Sequence, residues 1–135
     1  MATNTAKYTE GIGRRKTASA RVRLVPATKT SIIVNGKDIA DYFKHAAQMQ
    51  RIMDVLETPE AGVESYAISV VISGSGLSAQ ADAIRLGIAR ALVKEKADRR
   101  TVLKRQGYLK RDPRSVERKK FGLRKARKRP AWSKR

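Results

Sequence analysis

The residue types that this 135-residue sequence lacks already exclude several classes of protein. It has no cysteine and a single histidine, His45. Disulfide scaffolds, Cys-ligated zinc or iron–sulfur sites and multi-histidine metal clusters are therefore excluded. Aromatic residues make up 5% of the chain. The sequence contains no run of about 18 apolar residues, so no membrane span is predicted. The N-terminus has no apolar signal region, so secretion by that route is not expected.

Acidic residues are also scarce, and the charges are unevenly distributed. The chain has 31 Lys and Arg against 12 Asp and Glu, a formal net charge of +19. Residues 1–23 carry +5, residues 24–98 carry −1 and residues 99–135 carry +15. A surplus of this size repels itself unless a polyanion neutralises it. The sequence therefore predicts a nearly neutral body with a polyanion-binding tail.

The composition of the tail favours nucleic acid as that polyanion. Ten of residues 115–135 are Lys or Arg, and the apolar residues among them form no sustained stripe. A membrane-bound tail would need such a stripe or a lipidation site. A tail that only improves solubility is disfavoured, because so many cations would bind RNA in any cell. Alone in solution, this segment is expected to be disordered.

The middle of the chain has the pattern of an α+β domain with a mixed or antiparallel sheet and helices on one side. Strands are predicted at residues 17–25, 31–34 and 65–73, with a tight turn at Asn35-Gly36 after the second. Apolar spacings of three and four predict one helix over residues 38–57, capped by Asp38. His45 lies in this helix and is interpreted as a surface or core-edge residue, not a catalytic base.

A second helix is predicted after the Gly74-Ser75-Gly76 break, with Ser78 as its cap. Its apolar face is formed by Leu77, Ala81, Ile84, Ile88, Ala91 and Leu92. Gly87 lies close to this face and costs helix propensity, so close packing on the sheet is expected there. A further amphipathic turn ends at Gly107. We predict a compact domain over residues 1–107 and a basic extended tail over residues 108–135.

Three clusters are candidates for function. Residues 11–16, Gly-Ile-Gly-Arg-Arg-Lys, combine two glycines with three cations that match phosphate; the alternative is a mobile surface turn. Residues 74–80 faintly resemble the Gly-Leu-Ser phosphate loop of small-molecule kinases, but a structural turn between a strand and a helix is favoured. Residues 118–129 form a cationic run that contains Phe121 and is followed by Trp132, which suits RNA with exposed bases. The alternative is that the two rings dock onto the protein itself or a neighbour.

Four long blocks, in order, resemble the bacterial-type family of small-subunit ribosomal protein S-nine. These are GIGRRKTASARV (11–22), GLSAQADAIRLGIARAL (76–92), LKRQGYLKRDPRSVERKKFG (103–122) and the terminal SKR. Some positions depart from the family pattern: Ser75, Ala79 and Asp82, for example, stand where glycines are frequent. The basic residues and the terminus agree with it.

The resemblance implies a fold, a location and two RNA partners. The fold is an α+β sandwich like domain 2 of ribosomal protein S-five, with a left-handed β-α-β unit. The location is the ribosome in the cytoplasm, in the head of the small subunit. The partners are the 3′ major domain of the small-subunit ribosomal RNA, the P-site tRNA and neighbouring head proteins. No enzyme activity, cofactor, metal or membrane is implied.

The RNA-binding residues are expected in two sets. Ser133, Lys134 and Arg135 are implied as the tRNA contacts at the chain terminus. The expected ribosomal RNA contacts are Arg14, Arg15, Lys16, Lys104, Arg105, Lys110, Arg111, Arg114, Arg118, Lys119, Lys120, Arg124, Lys125, Arg127, Lys128 and Arg129. Two other functions would compete with this one: a free nucleic-acid chaperone or histone-like protein, and a small kinase that uses residues 74–80.

Overall fold

The computed structural model describes residues 7–133 and contains a mixed five-stranded sheet with helices packed on one face. The strands are β1 Thr9–Arg15, β2 Ala18–Pro26, β3 Ser31–Val34, β4 Lys37–Asp38 and β5 Tyr66–Ser73. The helices are α1 Ile39–Tyr42, α2 Ala46–Leu56, α3 Leu77–Glu95 and α4 Arg99–Arg105, with a short 3₁₀ helix at Pro59–Ala61. The predicted α+β class is confirmed.

The strand order in the sheet is β1-β2-β5-β3-β4. β3 and β5 are parallel, and every other neighbouring pair is antiparallel. α1 and α2 lie in the crossover between the parallel strands, as such a connection requires. Side chains alternate along β2 and β5, so that one face of the sheet is buried and the other is wet.

The predicted Asn35-Gly36 turn is confirmed, and both residues have the positive φ that a type I′ turn needs (50° and 80°). The Asn35 side chain also extends the sheet. Its amide nitrogen donates to the Ile72 carbonyl and its oxygen accepts from the Ile72 N–H, both at 2.9 Å.

Three glycines bring β1 unusually close to α3. A Cβ on Gly13 would overlap the backbone oxygen of Ala83 and lie 2.5 Å from the Gly87 nitrogen, and one on Gly11 would lie 2.7 Å from the Ala91 nitrogen. A Cβ on Gly87 would lie 2.7 Å from Cγ2 of Val22. The expectation of close packing at Gly87 is confirmed. Gly11 and Gly13 lie in strand β1, so the alternative interpretation of residues 11–16 as a mobile surface turn is wrong for them.

Two helix predictions are corrected. Residues 38–57 form two helices, because buried Phe43 takes an extended backbone conformation between them (φ −101°, ψ 109°). Asp38 does cap the first helix, accepting from the Ala40 N–H at 3.3 Å. Ser78 does not cap α3, whose N-cap is Gly76. The Ser78 hydroxyl instead accepts a hydrogen bond from Arg51 at 3.0 Å.

The loop before β5 is fastened to α4 by a buried arginine that the sequence did not single out. Arg99 is 4% exposed and donates to the carbonyls of Ala61 and Gly62, both at 3.1 Å. It also donates to Glu95 at 2.8 Å and to the Tyr66 hydroxyl at 3.2 Å. Burial opposes its charge, but these two partners outweigh that effect and raise the pKa of Arg99. Arg99 is therefore part of the fold rather than of the RNA-binding set.

Among the helices of residues 7–133, none combines the length and apolar character that a membrane crossing requires.

The close approach of β1 and α3 gives a test of the packing. Gly13→Ala should lower the free energy of unfolding by about 3 kcal/mol, because the added methyl group must push two backbone segments apart. Gly76→Ala is the matched control, since nothing lies within 4 Å of a Cβ there and its φ is negative. Its cost should stay below about 1 kcal/mol. Chemical denaturation measures both, and equal costs would contradict the packing argument.

Candidate nucleic-acid interface

The end of β1 and the turn after it place three cations at one end of the sheet, and the three differ in their exposure to solvent. Arg14 lies on the wet face and is exposed, and Lys16 is exposed in the turn with a φ of 51°. The side chain of Arg15 is only 15% exposed. Only Arg14 and Lys16 therefore present their charge directly to solvent.

Arg15 is the centre of an ion-pair network, here called the root cluster (Arg15, Arg51, Asp82, Arg85 and Asp112). Arg15 binds the carboxylate of Asp82 through one terminal nitrogen and lies 3.2 Å from that of Asp112 through the other. Arg51 and Arg85 approach Asp82 at 3.6 and 3.8 Å. The cluster joins β1, α2 and α3 to the first residues of the tail.

Asp112 links this cluster to a local turn. Its carboxylate accepts from the Arg114 backbone N–H at 3.0 Å and from the Arg114 guanidinium at 2.8 to 3.1 Å. The side-chain and backbone hydrogen bonds from Arg114, and then the charge of Arg15, hold the pKa of Asp112 well below its usual range. The tail therefore separates from the body at Asp112, whose carboxylate is bound by the guanidinium groups of Arg15 and Arg114.

The segment after α4 is also attached to the body. The Gly107 N–H donates to Lys104 and the Tyr108 N–H to Leu103, both at 3.1 Å. Tyr108 and Leu109 pack against the core, and the Arg85 guanidinium lies 5.8 Å from the centre of the Tyr108 ring. Contact with the body therefore continues as far as Asp112.

Residues 115–133 form no helix or strand in the structure, but ion pairs close a turn among them. Glu117 binds Lys120 and also Arg127, the latter at 2.8 Å. The Arg124 N–H donates to the Lys128 carbonyl at 2.8 Å. Phe121 lies in this turn and is 99% exposed. Trp132 is 90% exposed. Both rings are available for stacking.

The predicted RNA-binding residues are almost all on the surface. Arg15 and Lys120 are half-buried and Ser133 is exposed, while Lys134 and Arg135 lie outside the described residues. The exposed cations of the predicted set are Arg14, Lys16, Lys104, Arg105, Lys110, Arg111, Arg114, Arg118, Lys119, Arg124, Lys125, Arg127, Lys128 and Arg129.

Two cations of the wet sheet face were not among the predicted contacts, although the alternation of β2 pointed them outward. Arg21 pairs in register with Ile12 on one side and Val71 on the other, both exposed. Arg23 lies 3.3 Å from Glu10, and its guanidinium is 4.5 Å from the centre of the Tyr8 ring. Arg14 and Arg21 therefore make this face basic.

Residues 74–76 form a structural turn between β5 and α3, and residues 77–80 begin the helix. A Cβ on Gly74 would overlap the Thr17 carbonyl, so this turn lies directly against the β1–β2 turn. Gln80 fastens it by donating to the Gly74 carbonyl at 3.0 Å, and the Tyr42 hydroxyl donates to Gln80 at 2.7 Å. The turn is filled by its own packing, as the favoured interpretation of this motif predicts.

Comparison with known proteins shows the family to which this chain belongs. Residues 13–135 match the family model described as "Ribosomal protein S9/S16". The chain belongs to this ribosomal protein family. Its members are structural proteins of the ribosome and not enzymes, so the kinase alternative no longer holds.

Similar proteins cover nearly the whole chain. "Small ribosomal subunit protein uS9" of Gloeothece citriformis is 53% identical over 127 residues, which are 93% of this chain and 90% of that protein. The proteins of the same name from Mycobacterium tuberculosis and Nocardia farcinica are each 50% identical over 124 residues. The aligned part is 92% of this chain in both cases, and 81% and 73% of the respective relatives.

The root cluster gives a prediction about the start of the tail. Asp112→Asn should raise the backbone mobility of residues 112–115, because a neutral amide no longer holds Arg15 and Arg114 by charge. Heteronuclear NOE values of the full chain measure this mobility. Asp98→Asn, at an exposed carboxylate, is the control of equal charge change.

The same cluster has a predicted pH dependence. Because the folded-state pKa of Asp112 is lowered, its stabilising effect is complete above the ordinary Asp pKa of about 4 and is lost as the pH falls below that value. The NOE values at residues 112–115 should therefore stay constant from pH 7 to pH 4. A rise in mobility in the wild-type chain above pH 4 would contradict the ion-pair assignment.

Proposed function

We propose that this chain is a structural constituent of the small ribosomal subunit that binds ribosomal RNA in the subunit head and contacts the P-site tRNA with its C-terminus. The observation that carries the proposal is the separation of charge in the structure. Residues 24–98 carry a net charge of −1 and the carboxylates of Glu64, Asp82 and Glu95 are held in ion pairs, whereas the cations between residues 114 and 133 are almost all exposed. Similar proteins named for the small subunit support the assignment.

The mechanism of RNA binding is electrostatic and geometric. Lys and Arg side chains replace the counterions of crowded RNA phosphates, and the released ions favour association. The tail contacts the RNA backbone and gains its final order on assembly, while the exposed rings of Phe121 and Trp132 are placed to stack on bases. Ribosomal RNA of the 3′ major domain is the proposed partner of both the tail and the basic β1–β2 turn.

The structure adds detail to the predicted set of RNA contacts. Arg14 and Lys16 are proposed as direct contacts of the β1–β2 turn. Because Arg15 is held by Asp82 and Asp112, we propose that it acts mainly by positioning the tail. Residues 1–107 are proposed as the compact domain and 108–135 as the tail, of which the first part, up to Asp112, lies against the body.

The proposed fold is the sandwich of domain 2 of ribosomal protein S-five, with a left-handed β-α-β unit. Its support is the parallel pairing of β3 and β5 through a helical crossover, with an antiparallel β1–β2 hairpin beside β5. The wet sheet face and the helices remain available to neighbouring head proteins. The cytoplasm is the proposed compartment, because bacterial ribosomes assemble there.

A free nucleic-acid chaperone would share this charge distribution, and sedimentation separates the two functions. An affinity-tagged full chain expressed in a bacterium should be recovered in equimolar amount with small subunits after a wash in high salt. A chaperone or histone-like protein would instead be released by salt and spread over DNA and RNA alike. Recovery of the chain mainly outside the subunits would overturn the proposal.

A sharper experiment addresses the C-terminus. Deletion of residues 133–135 should leave assembly nearly intact but weaken P-site tRNA binding to small subunits by about threefold to tenfold, because cations at the tRNA backbone are lost. The double variant Lys128→Gln/Arg129→Gln removes two cations further inside the tail and should leave tRNA affinity within about twofold. Filter binding of tRNA to reconstituted subunits measures both.

Two comparisons complete that experiment. Deletion of residues 115–135 should impair incorporation of the protein itself, because it removes the proposed ribosomal RNA contacts as well. Equal tRNA affinity with and without residues 133–135 would reject the tRNA contact and leave the ribosomal RNA contacts standing.

A further inference from the structure

A cleft lies where the β1–β2 turn, the β5–α3 turn and the start of the tail meet. Its volume is about 510 Å³, within the range of small-ligand sites. The body contributes Lys16, Thr17 and Ser75 to its walls, and the start of the tail contributes Arg111, Arg114 and Ser115. Segments far apart in the sequence thus form one concave surface.

The charge and hydrogen-bonding groups of this cleft match a phosphate. Lys16, Arg111 and Arg114 are exposed cations on its wall. The carboxylate on the wall, Asp112, is compensated by its pairs with Arg114 and Arg15, which leaves the charges of Lys16 and Arg111 for a ligand. The hydroxyl groups of Thr17, Ser75 and Ser115 add neutral donors. The cleft therefore offers charge-assisted donors to an anion from several directions.

The cleft is also shaped before any ligand arrives. Lys16 and Ser75 both hold positive φ values, of 51° and 54°, which non-glycine residues adopt at an energetic cost. The two turns are packed together by the contact of Gly74 with Thr17. On the tail side, the bonds of Asp112 to Arg15 and Arg114 fix the wall. A fixed wall loses little entropy when it binds a ligand.

The lining has no aromatic residue on which a base could stack, and its apolar part consists of Pro113 and Val116. Its Lys, Arg, Ser and Thr donors are of the kinds that contact phosphate oxygens. A phosphodiester is held through its oxygens whatever the base sequence, so the cleft fits a sugar–phosphate backbone.

We propose that this cleft binds one phosphodiester of an RNA backbone and so fixes the point at which the tail leaves the body. The proposal deepens the proposed function and rests on it for the source of the phosphodiester. Lys16 and Arg111 reach the phosphate directly. Arg15, through Asp112, positions the wall that carries Arg114.

Amide NMR of the full chain tests the cleft without the ribosome. The probes are dimethyl phosphate, a dinucleoside monophosphate and inorganic phosphate, each added at constant ionic strength. The amides of Thr17, Ser75 and Ser115 should shift on titration with the two phosphodiesters. In Lys16→Gln/Arg111→Gln, the apparent dissociation constant obtained from these shifts should rise about tenfold. Neither residue takes part in the bonds of the root cluster, so the variant should fold.

Lys29→Gln/Lys37→Gln is the matched control. It removes two exposed cations that belong neither to the cleft nor to the predicted set of RNA contacts. It should bind the probes like the wild-type chain. Equal weakening in both variants, or cleft amides that do not shift with the phosphodiesters, would overturn the proposal. Inorganic phosphate binding at least as tightly as the dinucleoside monophosphate would assign the cleft to a free anion and overturn the RNA backbone as ligand.

A cleavage experiment tests the same cleft in assembled subunits. Because the chain has no cysteine, Ser75→Cys carries a single tethered iron chelate, and the wild-type chain treated in the same way is the control. Local cleavage of ribosomal RNA from position 75 is expected. Incorporated chains that give no cleavage would overturn the cleft proposal alone, whereas failure of the wild-type chain to incorporate would overturn the proposed function.

Discussion

The close contact between β1 and α3 is the constraint on which the rest of the structure depends. Side chains at Gly11, Gly13 or Gly87 would force the strand and the helix apart. With hydrogen atoms in those places, the end of β1 brings Arg15 against Asp82 on the helix. That pair in turn holds Asp112 and the start of the tail. Packing in the core therefore determines where the charged segment begins.

Acidic residues have distinct uses in the body and in the tail. In the body, Asp82 neutralises Arg15 in a nearly buried setting, where an unpaired charge would be costly. Beyond residue 98, Asp112 shapes the exit of the tail and Glu117 closes a turn around Phe121. Neither cancels much of the positive charge. Both limit the conformations of a segment that repels itself, which reduces the entropy lost when RNA binds.

Much of the fold follows from local sequence signals. Alternation identified β2, and a run rich in β-branched residues identified β5. Asn35-Gly36 identified the turn after β3, and apolar spacing identified α3. β1 was missed because its inward positions are glycines, which give no hydrophobic alternation. The break between α1 and α2 was missed too, although the step of six residues from Phe43 to Met49 departs from the helical period.

The interface was less predictable than the fold. Positive charge alone identified the tail and the β1–β2 turn, because solvated cations need no tertiary partner. It did not separate Arg15 from Arg14 and Lys16, since the partners of Arg15 lie 67 and 97 residues away in the sequence. The cleft beside the root cluster brings three segments together and has no local signal at all.

The separation of Arg15 from Asp112 also has a consequence during synthesis. Residues near the N-terminus leave the translating ribosome first, and domains fold in that order. Arg15 and Asp82 both leave the ribosome before residue 112 does, so they can meet before it emerges. The tail then emerges beside the Arg15–Asp82 pair. Its cations therefore leave the ribosome next to the Arg15 side chain, to which Asp112 binds.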